Sequence, residues 1–498
     1  MKPSFKQTRP EAVVNIPVAT KARQVEAWLE ALPLGDILAS ARLLSDYLRA
    51  HDRGEVPIAL RKQILDLGVV SVRRVLNLLG AEFRDMPLPM DARQLKHVEL
   101  AIGLLDAAGD FCKRLIVEHA DRSPPLFGVN PLAIVLGRFL NLQRELIRLC
   151  HLTHRQLPDG YWRDTHQAGQ LVLESGLSGE QDAGQPGSTL SDLYLAILLE
   201  AAADPYHFSE QERLWMQDVI SRYGNLAAVG RAGDAPYRGI FGIKVLEDKP
   251  PFPLSWQASP DPDCELVLNT AQLVRKLALI ISQLDRGQGP ADAGIPVRHP
   301  GYRPLLQRLK LTWSGASQRT TARHRPVKPS LRTVVVGFHP VYRHLSGALG
   351  EAEKGAVAEC QMVNESLGGM ALQVAKPTFR LKIGSLVCVG RGGDDAWQDV
   401  GLVRWFKTGP NGTLTFGIKY LYGHVRPCTW SLPGDGQVYP GLLADPEKGK
   451  TRVIRNLVTP ALRLDPRARI EVAQGEKRFP LALAGKAESF ADLDVFRC

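Results

Sequence analysis

The chain has 498 residues, 44% of them hydrophobic and 23% charged, with 62 Lys and Arg against 52 Asp and Glu. That length is too great for one hydrophobic core and predicts two to four domains, and the balanced composition excludes wholesale disorder. No apolar run approaches the roughly 18–20 residues that span a bilayer. The polar start, Met1-Lys-Pro-Ser-Phe-Lys6, lacks the apolar stretch of a secretion signal, so a cytoplasmic protein is expected.

Residues 20–155 read as helices. Val25, Trp28, Leu29 and Leu32, then Ile37, Leu38, Ala41, Leu44 and Leu48, recur at helical spacing, and the pattern returns over 64–79, 98–116 and 132–152. Breaks at Pro33, Gly54–Pro57, Pro87–Pro89 and Pro124–Pro125 predict antiparallel helices packed as a bundle. Residues 156–286 read as mixed and mainly helical, with a Gly- and Ser-rich loop over 174–189 and short strands at 238–246 and 264–268. Residues 287–314, opening on a run with four prolines and four glycines, are expected to be a linker.

Beyond it the pattern changes. Stretches at 334–338, 358–363, 370–374, 386–389, 400–406 and 413–421 are short, rich in Val, Ile and aromatics, and separated by turn residues. The turn Pro410-Asn-Gly-Thr413 is a strong hairpin signal, because Asn-Gly readily adopts positive φ. These features predict a small antiparallel barrel over 315–425 and a β-rich extension over 426–498. The expected fold class is multidomain α+β: N-terminal helical domains, then a small antiparallel β-barrel and a short β-rich C-terminal extension.

Charge is concentrated rather than spread. Residues 293–350 hold ten Lys or Arg and no Asp or Glu, equal to the whole excess of the chain (62 − 52 = 10). Such a window favours an anionic partner, although on charge alone a solvated basic linker is the plainer reading.

Two short patterns flank the first barrel strand: Arg319-Thr-Thr-Ala-Arg323 before it and Asn364-Glu-Ser-Leu-Gly-Gly369 after the second. A guanidinium is permanently charged, bonds bidentately to phosphate or to a guanine edge, and stacks on a base face. Asn364 and Ser366 occupy alternate positions, so both side chains leave a strand on one face, while Glu365 points to the other. Gly369 permits a tight turn or close backbone approach. Arg-x-x-x-Arg alone is common in any basic stretch, and Asn-x-Ser-x-x-Gly alone is more often a local turn. Their occurrence together, in this order and flanked by strands, carries the weight.

On these residues the segment 315–425 resembles the PilZ domain, and the hairpin GLVRWF…FGIKYL resembles that barrel's closing strands. The resemblance implies a receptor for cyclic di-GMP rather than an enzyme, with no cofactor and no catalytic or metal-binding residues. It implies that Arg319 and Arg323 grip phosphate and guanine while Asn364, Ser366 and Gly369 seat the base. Arg325 is a further candidate phosphate contact, and the arginine pairing is open to a slip. The helical region would couple ligand binding to an unidentified protein partner. Two other readings stay open: a degenerate adaptor that makes protein contacts without ligand, and a nucleic-acid binder using residues 293–350, nucleic acid being the less expected partner. The long interval from Arg323 to Asn364 contains an insert, 339–357, readable as a lid, a short helix or a contact surface.

Other candidates are weaker. The seven cysteines form no Cys-x-x-Cys pair and read as reduced thiols. His151 and His154, one helical turn apart, suit a helix C-terminus better than a metal. Gly390-Arg-Gly-Gly-Asp-Asp395 reads as a hairpin loop, since no helix follows it. Trp405, Phe406, Phe416 and Tyr420 are expected to fill the barrel.

Overall fold

The structure, a computed structural model, describes residues 3–5, 19–53, 56–83, 90–122, 125, 128–182, 187–232, 240–256, 263–288, 299, 301–316, 323–390, 398–409, 412–421, 423–444, 455–462, 464–490 and 492–498. The chain divides into two compact units. One comprises Met1–Met86, Asp91–Pro205 and Glu210–Gln318; the other comprises Pro87–Met90, Tyr206–Ser209 and Arg319–Cys498.

The first unit is mainly helical. Its helices are α1 (Ala22–Glu30), α2 (Ile37–Arg53), α3 (Ile58–Phe83), α4 (Ala92–Ala120), α5 (Pro131–Leu152), α6 (Tyr161–Glu174), α7 (Leu190–Ala202), α8 (Glu210–Tyr223), α9 (Ala271–Asp285) and α10 (Tyr302–Trp313). A small sheet of β1 (Ala228–Arg231), β2 (Ile240–Ile243), β3 (Phe252–Pro253) and β4 (Leu266–Asn269) runs in the order β1-β4-β2-β3. Local chemistry fixes the helix starts. The Asp91 carboxylate accepts from the Gln94 amide at 2.8 Å, and Asn130 caps α5 ahead of Pro131, whose missing amide costs nothing in the first turn. The core between α4 and α5 is closed to solvent at Phe111, Leu115, Phe139 and Leu140, all at zero exposure.

Part of the stretch expected to be a linker is a core helix. In α10 the residues Tyr302, Leu305, Leu306, Leu309 and Trp313 are buried at helical spacing. The Trp313 indole nitrogen donates to the Leu199 carbonyl at 3.0 Å, and the Thr270 hydroxyl donates to the Trp313 carbonyl at 2.5 Å. The flanking prolines and glycines masked that apolar face.

The second unit is built of strands. A closed six-stranded barrel forms from β5 (Leu331–Val336), β6 (Val357–Ser366), β7 (Gly369–Val374), β8 (Leu386–Gly390), β9 (Gln398–Thr408) and β10 (Leu414–Tyr420), in the order β10-β7-β6-β5-β8-β9, with β9 pairing back to β10. Every pairing is antiparallel. Closure leaves no unpaired strand edge. Alternation drives it: Leu414, Phe416 and Ile418 point inward from β10, and Thr415, Gly417 and Lys419 point outward. Gly412 takes φ 74° in the β9–β10 hairpin, as a tight turn requires; Pro410 and Asn411 lie outside the described residues, as do 391–397 of the Gly-rich hairpin loop.

The insert contains a short helix, α11 (Phe338–Leu345), and a 3-10 turn over Glu351–Ala356, joined by the Arg343–Glu353 ion pair. The extension is a seven-stranded sheet of β11 (Val425–Ser431), β12 (Tyr439–Ala444), β13 (Asn456–Pro460), β14 (Arg469–Gln474), β15 (Lys477–Ala482), β16 (Gly485–Ser489) and β17 (Leu493–Arg497), ordered β15-β14-β11-β12-β13-β17-β16. Its Leu442, Val458, Leu493 and Val495 share a core with Val335, Cys388, Val400 and Leu402 of the barrel and with Phe338 and Val341 of α11. The sheet and the helix thus cover the outer side of β5 and β8 and of the Val400–Leu402 end of β9. No residue of β7 or β10 belongs to that shared core.

Candidate functional site: the outer face of the barrel

The β6–β7 hairpin sets the site. Asn364 stands opposite Ala371, Glu365 opposite Met370 and Ser366 opposite Gly369, after a bulge between Met362 and Asn364. Opposed residues of an antiparallel pair share a face. Met370 lies in the barrel core, so Glu365 points inward, and its carboxylate accepts from the Tyr420 hydroxyl at 3.0 Å. Asn364 and Ser366 therefore face outward, as their alternation predicts. The negative charge of Glu365 stands on the side of the strand away from them.

Gly369 is fixed by close approach. A Cβ there would collide with the Ile418 carbonyl and crowd the Lys419 backbone. Only a residue without a side chain lets β7 and β10 pair at this point. The Ser366 hydroxyl donates to the Gly369 carbonyl at 3.1 Å, closing the hairpin.

The basic segment is tied to this hairpin by its backbone. The His324 amide donates to the Glu365 carbonyl at 2.8 Å, and the Glu365 amide donates to the His324 carbonyl at 2.9 Å, as an isolated antiparallel bridge. His324 and Glu365 then share one face, and their neighbours share the other. Arg323 falls across from Ser366 and Arg325 across from Asn364, both on the outward side. Arg323 and Arg325 are exposed. Arg319 lies outside the described residues. The structure thus brings together Arg323, Arg325, Asn364, Ser366 and Gly369, and Arg325, expected only as a further phosphate contact, stands directly across from Asn364.

Three other cations of the basic window are paired with acids. Arg303 pairs with Asp285 at 2.5 Å, Arg308 with Glu212, and Arg343 with Glu353. These cations are partly neutralised by acids that lie outside the window and so do not enter its count.

One aromatic expectation is corrected. Phe406 and Phe416 fill the barrel and Tyr420 packs beside them. Trp405 does not: it pairs with Gly417 on the outer face and lies over that glycine, half-buried. Alternation along WFKT…TLTFG carried the signal, but the strand register was needed to read it.

The remaining titratable candidates are structural. His151 Nδ1 lies 3.1 Å from Glu200 Oε1, and His154 Nε2 lies 3.3 Å from an Arg213 guanidinium nitrogen. Burial alone would raise the Glu200 carboxyl; the His151 hydrogen bond and the charges of Arg148 and Arg144 outweigh it and hold it below the usual range. Among the described residues no cluster of three or more His, Cys, Asp or Glu is placed to hold a metal. Burial pushes the Cys360 and Cys388 thiols up to about 12, far from the thiolate a nucleophile requires. No helix among the described residues is long and apolar enough to cross a membrane.

Fold and face together define a closed antiparallel barrel with an arginine-fringed polar surface on β6 and β7, joined in one chain to a helical unit. The comparisons with known proteins bear on both parts. Residues 23–233 match the family described as the N-terminal domain of the cyclic-di-GMP receptor FimW. The chain is 22% identical over 486 residues to the cyclic-di-GMP receptor FimW of Pseudomonas aeruginosa, covering 82% of this chain and 78% of that protein. No solved structure matches. The likeness to a known receptor, expected in the C-terminal half alone, therefore extends through most of the helical unit.

Proposed function

We propose that this protein is a cyclic di-GMP receptor and that the outer face of β6 and β7 is its ligand surface. One observation carries the reading: the His324–Glu365 bridge, which sets Arg323 and Arg325 across from Ser366 and Asn364. Two guanidinium groups meet the charge of a phosphodiester, and each can also address the O6 and N7 edge of guanine. Asn364 supplies both a donor and an acceptor to a base edge, and Ser366 a hydroxyl. Arg319 joins the set from the preceding segment, as the PilZ resemblance implies. The name of the similar receptor and the family match over 23–233 support the same ligand.

In this reading the protein is a binding protein, and its output passes through the helical unit to a protein partner. Ligand that bridges the basic segment to the β6–β7 hairpin favours the conformations in which the two are docked, and any partner that senses them responds by population shift. The test is calorimetric titration of the full chain with cyclic di-GMP, and with cyclic di-AMP and GMP as controls. Saturable micromolar or tighter binding of cyclic di-GMP alone is expected; no heat and no saturation at micromolar ligand would overturn the reading.

A further inference from the structure

A single row of residues crosses the outer face of the barrel. Asn364 on β6 is opposite Ala371 on β7, Ala371 is opposite Gly417 on β10, and Gly417 is opposite Trp405 on β9. All four share a face. The two ends of the row carry an amide and an indole, and its middle carries one methyl group and one hydrogen. With strands about 4.8 Å apart, the two ends are separated by roughly 14 Å of backbone. The indole narrows that gap by leaning inward. A Cβ on Gly417 would fall onto its Nε1, Cε2 and Cδ1 atoms, so its five-membered ring lies directly over the glycine. Beside the row, the exposed Lys419 stands opposite Gly369.

We propose that Trp405 is a further ligand-binding residue, on which a guanine of the ligand stacks while the Arg323–Arg325 segment holds the opposite end of the molecule. The assignment rests on the cyclic di-GMP reading. Its physical basis is shape and polarity. The floor at Ala371 and Gly417 carries almost no side chain and is itself buried, Gly417 beneath the indole, so a ligand meets the half-buried Trp405 ring rather than the sheet. The Trp405 indole offers a π-face at one end of that floor, and cations stand at the other end and beside it. Base stacking on an aromatic ring tolerates solvent at the edges and needs no deep cavity.

A purely structural explanation competes: an aromatic ring can cover a glycine on the adjacent strand and so stabilise the sheet. The two differ in what a mutation changes. Calorimetric titration of the full chain with cyclic di-GMP should show Trp405→Leu weakening binding by at least about fivefold, the lower end of base–aromatic stacking, and Trp405→Phe retaining affinity within about threefold. A folded Trp405→Leu that binds like the wild type overturns the assignment and leaves the receptor reading standing. Absence of binding by the wild type removes both. Should Trp405→Leu fail to fold, 19F spectra of the protein labelled with 5-fluorotryptophan decide the matter, with the Trp405 resonance assigned by its loss in Trp405→Phe. That resonance should shift on saturation with cyclic di-GMP, and an unmoved resonance overturns the proposal.

Discussion

His324 and Glu365 exchange both of their backbone hydrogen bonds, at 2.8 and 2.9 Å, although they stand 41 positions apart in sequence. The bridge sets the register of the basic segment on β6 and decides which side chains meet the Asn364 and Ser366 face. A shift of one residue would exchange the arginines for His324 on that face.

Replacing His324 with proline removes one of the two bonds by removing its donor. The bridge lies outside the six strand pairings that close the barrel. The variant is expected to keep its thermal transition within a few degrees while losing at least about tenfold in affinity for cyclic di-GMP, as read by calorimetry and circular dichroism. Equal affinities would detach the bridge from ligand binding.

Arg323→Ala and Arg325→Ala should each weaken cyclic di-GMP by about 10- to 100-fold, since a hydrogen bond to a charged group is worth about 1.5–3 kcal/mol. Arginine-to-lysine variants keep the charge but lose the planar fork, and should fall between. Titrations repeated across a salt series should show a shallower salt dependence for each alanine variant. If Arg325→Ala binds as the wild type while Arg323→Ala does not, the second contact belongs to Arg319.

Gly369→Ala tests the close approach of β7 and β10. The added methyl meets the Ile418 carbonyl, which is backbone and cannot rotate away. A loss of about 1–3 kcal/mol in unfolding free energy is expected from urea denaturation. An unchanged midpoint would mean that the strands part without cost.

Acid sensitivity should arise in the helical unit. His166 is fully buried between the Tyr194 hydroxyl and the Lys249 carbonyl, each 2.9 Å away. Burial lowers its pKa to about 4, against the weaker opposing effects of the Lys249 hydrogen bond and the Asp248 charge. The folded state therefore holds the imidazole neutral while the unfolded chain protonates near pH 6.5. Stability is complete above pH 6.5 and falls as the pH drops towards 4, by about 3 kcal/mol over the interval. His166→Gln should flatten this part of a stability–pH profile. A profile unchanged by the substitution would place the sensitivity elsewhere, with Glu200 the next group to examine.

The barrel was legible because its alternation is clean. Leu414, Phe416 and Ile418 against Thr415, Gly417 and Lys419 state a strand and its inner face outright. The orientation of Asn364, Glu365 and Ser366 was legible for the same reason. α10 was hidden, because five helically spaced apolar residues sit behind a Gly- and Pro-rich run that reads as a boundary. The outward orientation of Trp405 was not legible because its own strand bulges beside it: Gly417 pairs with Trp405 and the next residue, Ile418, with Val403, which leaves Arg404 of β9 as the extra residue that resets the alternation. The His324–Glu365 bridge was beyond reach: a single long-range backbone pair leaves no periodic trace in sequence.

Amide hydrogen exchange on the full chain, with and without saturating cyclic di-GMP, tests the central claim most directly. Added protection is expected in peptides covering 323–325 and 364–371, with β13 to β17 unchanged. Protection confined to the seven-stranded sheet, or none at 323–325 and 364–371 when the ligand is demonstrably bound, would contradict the assignment of the ligand to this face.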